Sequence, residues 1–188
     1  MIIYLEGPDG SGKTTFVQKI WDTLARTYFI NINAEDDIPT RPNRKDRITE
    51  KTLFSKLKAM AKSQVLYVLD RGPISDIIYR IFDEHKSVTS LAKIRNFMKN
   101  WGNKILYICC NTPKAEQNMI ARGDDNPVAL QHHKEITKLY DTINSLIKAD
   151  CPYSCIDYDF SKPSSVTFAL KTIKYFMYIN TGRQTDEQ

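Results

Sequence analysis

An α/β fold built on a parallel sheet is predicted by three observations. Five short apolar segments alternate along the chain with stretches of helical periodicity. One of them, Val-Leu-Tyr-Val-Leu at 65–69, is apolar throughout, as befits a strand covered on both faces. The first segment runs through a glycine-rich turn straight into a helix.

The elements follow in order. Residues 2–6, Ile-Ile-Tyr-Leu-Glu, read as a short buried strand, and 7–12 as the turn. From Lys13 the spacing becomes helical, with Phe16, Val17, Ile20, Leu24 and Tyr28 on one face. Residues 29–33 make a second strand. The stretch 34–46 is polar and broken by Pro39 and Pro42. A helix resumes near 47, with Leu53, Phe54, Leu57, Met60 and Ala61 as its apolar stripe. After the strand at 65–69, helices are expected near 75–83 and 89–101. A fourth strand is expected at 104–110, helices near 113–122 and 128–148, a last strand at 153–157 and a last helix at 164–178. From Asn180 the tail is polar and expected to fray. No repeat or linker divides the 188 residues, so one domain is expected.

Composition narrows the class. Ten Tyr, eight Phe and two Trp are enough to build a core, which argues against a disordered chain. No apolar run approaches the ~18 residues of a membrane span, and MIIYLEG does not read as a signal peptide. A soluble, cytoplasmic protein without membrane partners is expected. The cysteines fit a reducing setting: Cys109 and Cys110 are adjacent and should face opposite sides of a strand, and Cys151 and Cys155 lack zinc-site spacing. They are expected as reduced thiols.

The formal net charge is +5, yet residues 41–63 alone carry eight basic and two acidic residues, a net of +6. The lysines Lys56, Lys58 and Lys62 suit a solvated helix face. The arginines near position 41 suit a field that draws in a phosphorylated substrate equally well. Phe54 alone interleaves an aromatic ring among these charges, so a nucleic-acid partner is not expected.

Gly7-Pro8-Asp9-Gly10-Ser11-Gly12-Lys13-Thr14 matches G-x-x-x-x-G-K-[ST] in full. Glycines at these positions let backbone N–H groups converge on phosphate oxygens, and the next helix adds the positive end of its dipole. Lys13 would bridge the β- and γ-phosphates of ATP, and the Thr14 hydroxyl would ligate Mg²⁺. Thr15 extends the same loop. Lys13 lies outside any apolar stripe. Asp70-Arg71 closes the most apolar strand, and ligands of open parallel sheets bind at the carboxyl ends of the strands. Asp70 can hold Mg²⁺ or take a proton there, and Arg71 can grip a phosphate bidentately. Arg122-Gly123-Asp124-Asp125-Asn126-Pro127 has the composition of a short lid at 122–127, with Arg122 its one arginine. Among Glu35, Asp36 and Asp37, after the second strand, one can serve as a general base, or all three can be a solvated acidic loop. The three histidines, His85, His132 and His133, show no ligand spacing and receive no role.

The run Tyr4-Leu5-Glu6-Gly7-Pro8-Asp9-Gly10-Ser11-Gly12-Lys13-Thr14-Thr15, together with Asp70-Arg71, resembles the signature of the thymidylate kinases and the related deoxynucleoside kinases. The resemblance implies a P-loop NTPase fold with strand order 2-3-1-4-5 and phosphoryl transfer from MgATP to a deoxynucleoside monophosphate, dTMP first. It places Asp9 at the acceptor sugar, Arg71 and Arg41 at the acceptor phosphate, and 157–163 at the adenine of ATP. Gly10 leaves no arginine inside the loop, which in this family shifts that duty to the lid and Arg122. The stretch 34–62 would be the substrate loop and helix, and Phe54 there suits either base stacking or the core stripe. The span from Arg41 to Asp70 is too short for the family's usual two-helix hairpin. Such compactness is typical of virus-encoded members. A deoxynucleoside kinase acting on a 5′ hydroxyl is the alternative, with Asp70 or Glu35 as base, although Asp70-Arg71-Gly72 stands where Glu-Arg-Ser is usual. A polynucleotide kinase and a regulatory P-loop protein rank lower. A homodimer is left open.

Overall fold

The computed structural model describes residues 1–32, 48–82, 86–123 and 126–182. Arg41, Glu35, Asp36, Asp37, His85 and the acidic pair Asp124-Asp125 lie outside these residues, and so do most of the substrate loop and part of the lid.

Five parallel strands form one sheet in the order β2-β3-β1-β4-β5, as expected. They are β1 (Ile2–Glu6), β2 (Ile30–Asn31), β3 (Leu66–Asp70), β4 (Ile105–Cys110) and β5 (Cys155–Tyr158). Helices α1 (Lys13–Leu24), α2 (Glu50–Lys62), α3 (Pro73–Tyr79), α4 (Leu91–Trp101), α5 (Ala115–Ala121), α6 (Pro127–Asp150) and α7 (Pro163–Thr181) fill the connections. No helix among the described residues is long and apolar enough to cross a membrane.

The central strand shows why the chain folds this way. All five residues of β1 are buried, and their side chains alternate between two cores. Ile2 and Tyr4 join Ile105, Tyr107 and Cys109 beneath α2, α3, α4 and α6. Ile3 and Leu5 join Leu106, Ile108 and Cys110 against α1 and α7. Cys109 and Cys110 thus face opposite sides, and all four cysteines are free thiols. Truncating one of these fully buried aliphatics to Ala costs about 2–5 kcal/mol.

Several boundaries differ from the periodicity. β2 has two residues among those described, Ile30 and Asn31, opposite Leu66 and Tyr67; the Phe29 carbonyl accepts from the Leu66 amide at 2.8 Å, and Asn33 of the expected 29–33 lies outside the described residues. α1 stops at Leu24; Tyr28 keeps its place in the core by donating its backbone N–H to the Leu24 carbonyl at 3.0 Å. α2 starts at Glu50, where the Thr49 side chain caps it by accepting from the Thr52 amide at 3.2 Å. α3 ends at Tyr79, and α7 continues to Thr181, past the expected start of the fraying tail. Between β2 and β3 the described residues hold a single helix, as the short spacing predicts.

The register sets the site. β1 pairs with β3 through Leu5↔Asp70 and with β4 through Glu6↔Cys109. The carboxyl ends of all three strands therefore lie side by side, and Gly7, Arg71 and Asn111 leave the sheet at one edge.

Candidate active site

The glycine loop is built from backbone. Gly10 and Gly12 both sit at φ +80°, in the left-handed region. A Cβ at Gly10 would lie 1.9 Å from the Ala115 carbonyl oxygen, and one at Gly12 would lie 2.5 Å from the Phe160 ring. Gly12 is also the N-cap of α1 and supplies no side-chain acceptor, so the first amides of the helix remain available to an anion. Lys13 departs from its expected place: it is 5% exposed and folds under the loop. Its Nζ donates to the carbonyls of Gly7 and Pro8, each at 2.8 Å, and to Ser11 Oγ at 3.2 Å. Burial pulls its ammonium below the ordinary lysine value, while Asp70, Cys110 and Glu6 oppose that pull.

The loop is tied to the end of β3. Thr14 Oγ1 donates to Asp70 Oδ2 at 2.6 Å, and Asp70 Oδ1 is buried with no protein partner. A hydroxyl and a carboxylate with a spare buried oxygen are hard oxygen donors, and they fit the coordination that Mg²⁺ prefers. No group of three or more metal-ligating side chains occurs among the described residues, so such an ion would also need phosphate or water ligands.

A cluster of side chains forms the other flank. Asp9 and Arg71 make an ion pair, and the Tyr79 hydroxyl donates to Asp9 Oδ2 at 2.6 Å. The Arg71 guanidinium also lies over the Tyr79 ring, 5.4 Å from its centre. Arg71 has φ +76°, the sole non-glycine residue in the left-handed region among the described residues. Such a backbone costs about 1–3 kcal/mol and persists only where surrounding contacts enforce it. Beneath lies Glu6, fully buried, whose Oε2 accepts from Ser75 Oγ at 2.6 Å. Ser75 Oγ in turn bonds the Tyr140 hydroxyl at 2.7 Å. Burial pushes the Glu6 carboxyl up to about 7, against the opposing Ser75 hydrogen bond and the nearby Lys13 and Arg71 charges.

Two further elements touch the loop from above. Asn118 on α5 donates to the Gly10 carbonyl at 3.3 Å. Arg122 ends that helix, exposed, and its charge reaches Lys13. α6 departs from helical geometry at His132, and the next residue, His133, places Nε2 3.2 Å from the Asp9 carbonyl oxygen. His133 therefore braces the loop, where the sequence assigned it nothing. Desolvation holds its ring below the ordinary histidine value, opposed by Glu116. Beside these residues lies a cavity of about 690 Å³, lined by Thr112, Glu116, His133, Lys134, Asp159 and Lys162 among others. The segment 157–163 forms one wall of it.

The structure thus brings Gly7, Asp9, Gly10, Ser11, Gly12, Lys13, Thr14, Asp70 and Arg71 together, with Thr15 exposed on the first turn of α1. Phe54 is half-buried with its ring 5.7 Å from that of Phe97, which fulfils the core half of its two readings. The sequence missed Tyr79, Ser75 and Asn118. Each is an ordinary polar residue on a helix, and only tertiary packing reveals the partner.

No protein-family model matches the chain, and no curated protein matches it. Among solved structures it resembles the YorR protein from Bacillus subtilis in complex with phosphorylated GDP. The identity is 19%, the match covers 98% of this chain and 100% of that one, and the TM-score is 0.61. It also resembles deoxyadenosine kinase from M. mycoides with the products dCMP and a flexible dCDP bound, at 14% identity. That match covers 93% of this chain and 100% of the other, with a TM-score of 0.52. The chain shares the α/β fold of these structures, built here on a five-stranded parallel sheet.

Proposed function

We propose that the protein transfers the γ-phosphoryl group of ATP to a deoxynucleoside monophosphate, dTMP first, giving ADP and the diphosphate. The observation that carries this reading is the convergence of the glycine loop, the Thr14–Asp70 pair and Arg71 at one edge of the sheet. The two fold relatives were solved with nucleotides bound, which supports a nucleotide ligand.

In this mechanism the chain positions and neutralises; little covalent work falls to it. Loop amides and the α1 N-terminus hold the donor phosphates. Lys13 releases the Gly7 and Pro8 carbonyls and turns its Nζ to the β,γ-bridge. Thr14 and Asp70 would hold Mg²⁺, which offsets charge on the phosphates when bound. Arg71, fixed by Asp9 and Tyr79, grips the acceptor phosphate. Arg122 closes from the 122–127 lid onto the transferring group and supplies the charge that Gly10 does not. The cavity walled by 157–163 receives the donor base. The four free thiols suit a cytoplasmic setting.

A second reading, a deoxynucleoside kinase, draws support from one observation: Asp9 already pairs with Arg71, which lessens the need for an anionic acceptor. Asp70, or Glu35 outside the described residues, would then take the proton of the 5′ hydroxyl. An ATP-consumption screen over nucleosides, nucleoside monophosphates and 5′-hydroxyl oligonucleotides separates the two. Turnover with monophosphates, dTMP foremost, is expected. Turnover confined to nucleosides or oligonucleotides replaces the proposal, and none on any acceptor overturns it.

A further inference from the structure

A buried carboxylate oxygen without a partner is an expensive feature, because the charged form loses its water and gains nothing in return. Glu6 carries one. Its side chain is 0% exposed, Oε2 is bonded to Ser75, and Oε1 has no partner. The space beside Oε1 is closed by Gly72, where an added Cβ would sit 3.2 Å from that oxygen and 3.1 Å from the Tyr4 ring. The groups that face Glu6 are of two kinds. Lys13 from α1 and Arg71 from the β3–α3 turn are cationic and favour its carboxylate. Tyr4 on β1, Tyr107 and Cys110 on β4, and Tyr140 on α6 are buried neutral groups, each pushed up partly by the Glu6 charge. Glu6 thus lies within electrostatic reach of the two cations to which the proposed function assigns the donor and acceptor phosphates.

We infer that Glu6 is a positioning residue for Lys13 and Arg71 and takes up a proton when phosphate groups bind beside them. As the unliganded carboxylate it is a counter-charge for both cations. A bound phosphate supplies that counter-charge itself and repels the ionised Glu6 through a low-dielectric interior. The proton comes from solvent and goes to Oε1, the oxygen with no other partner. The inference rests on the proposed reading of Lys13 and Arg71.

The test is calorimetric titration of the whole protein with MgADP in buffers of different ionisation enthalpy. At pH 7 the slope against buffer enthalpy should report uptake of up to about half a proton per nucleotide, since the group is half titrated there. The uptake should fade as the pH falls below 7, where the unliganded protein already holds the proton. In Glu6→Gln, which keeps the shape and removes the titration, it should vanish while binding persists. Ser75→Ala removes a hydrogen bond that favours the carboxylate, so the pH at which uptake is half-maximal should rise. A wild-type slope of zero overturns the inference without recourse to any variant, as does a slope unchanged in Glu6→Gln. Binding without uptake leaves the proposed function standing. No binding in any buffer overturns the phosphate-loop assignment and this inference together.

Discussion

The two flanks of the site are made by different means. On the side proposed for the donor, eight consecutive residues from Gly7 to Thr14 form a cradle of backbone, and the loop's own carbonyls satisfy Lys13. On the side proposed for the acceptor, Glu6, Asp9, Arg71, Ser75, Tyr79 and Tyr140 come from three separate stretches of the chain and meet through side chains. The first flank is a matter of shape: glycines at φ +80° hold it, and neighbours leave no room for a Cβ. The second is a matter of charge, held by hydrogen bonds and an ion pair over a strained backbone. Substitutions on the donor side should therefore act nearly all-or-none, whereas those on the acceptor side should be graded and sensitive to pH and salt.

The strongest break is expected at Lys13. Lys13→Ala should lower turnover by at least about 10³-fold, since charge is lost where it develops in the transition state. Near-normal turnover in a steady-state assay would dissolve the distinction between the flanks. Arg122→Ala comes next, with kcat falling about 10²- to 10³-fold and acceptor KM little changed. Loss confined to KM would make Arg122 a ground-state contact.

On the acceptor side, stability should depend on pH through Glu6. Its folded value of about 7 lies above the ordinary 4.5, so the native state holds the proton more tightly than the unfolded chain does. The associated stability is fully present below 4.5 and is lost as pH rises through 7, to a limit of about 3 kcal/mol. His133, with its lowered value, works in the opposite direction. Denaturation midpoints of wild type minus Glu6→Gln between pH 4.5 and 8 isolate the carboxyl; a flat difference would refute its buried titration.

The smallest effect is expected from Arg71→Lys. A lysine keeps the charge but loses the bidentate fork and the stack on Tyr79, so acceptor KM should rise about tenfold with kcat retained. Added salt should raise it further if the acceptor is anionic, because exposed attraction is screened. A KM that ignores ionic strength would favour an uncharged nucleoside.

The same contrast explains what could be read from the sequence. The succession of strands and helices and the glycine loop were legible because each depends on neighbours in the chain: apolar runs, 3.6-residue spacing, a contiguous loop motif; the sheet order was implied only by the resemblance that motif carries. Asp70 and Arg71 were legible because a strand end is recognisable. The role of Tyr79 was not, since its hydroxyl meets Asp9 seventy residues away. Nor was the contact of His133, which follows from a departure at His132 inside a helix that reads as continuous. The depth of Lys13 was misjudged because a lysine offers no apolar period, although its methylene stem packs under the loop as readily as a hydrocarbon.

Arg71 has a consequence for how the chain can change over generations. At φ +76° a glycine would relax the backbone and an asparagine would tolerate it, yet either removes the guanidinium that pairs with the buried Asp9 and stacks on Tyr79. Backbone strain and ion pair therefore pull in opposite directions at this position. The arginine is released at low cost only when Asp9 changes with it, so a copy freed from its task should lose the two residues together.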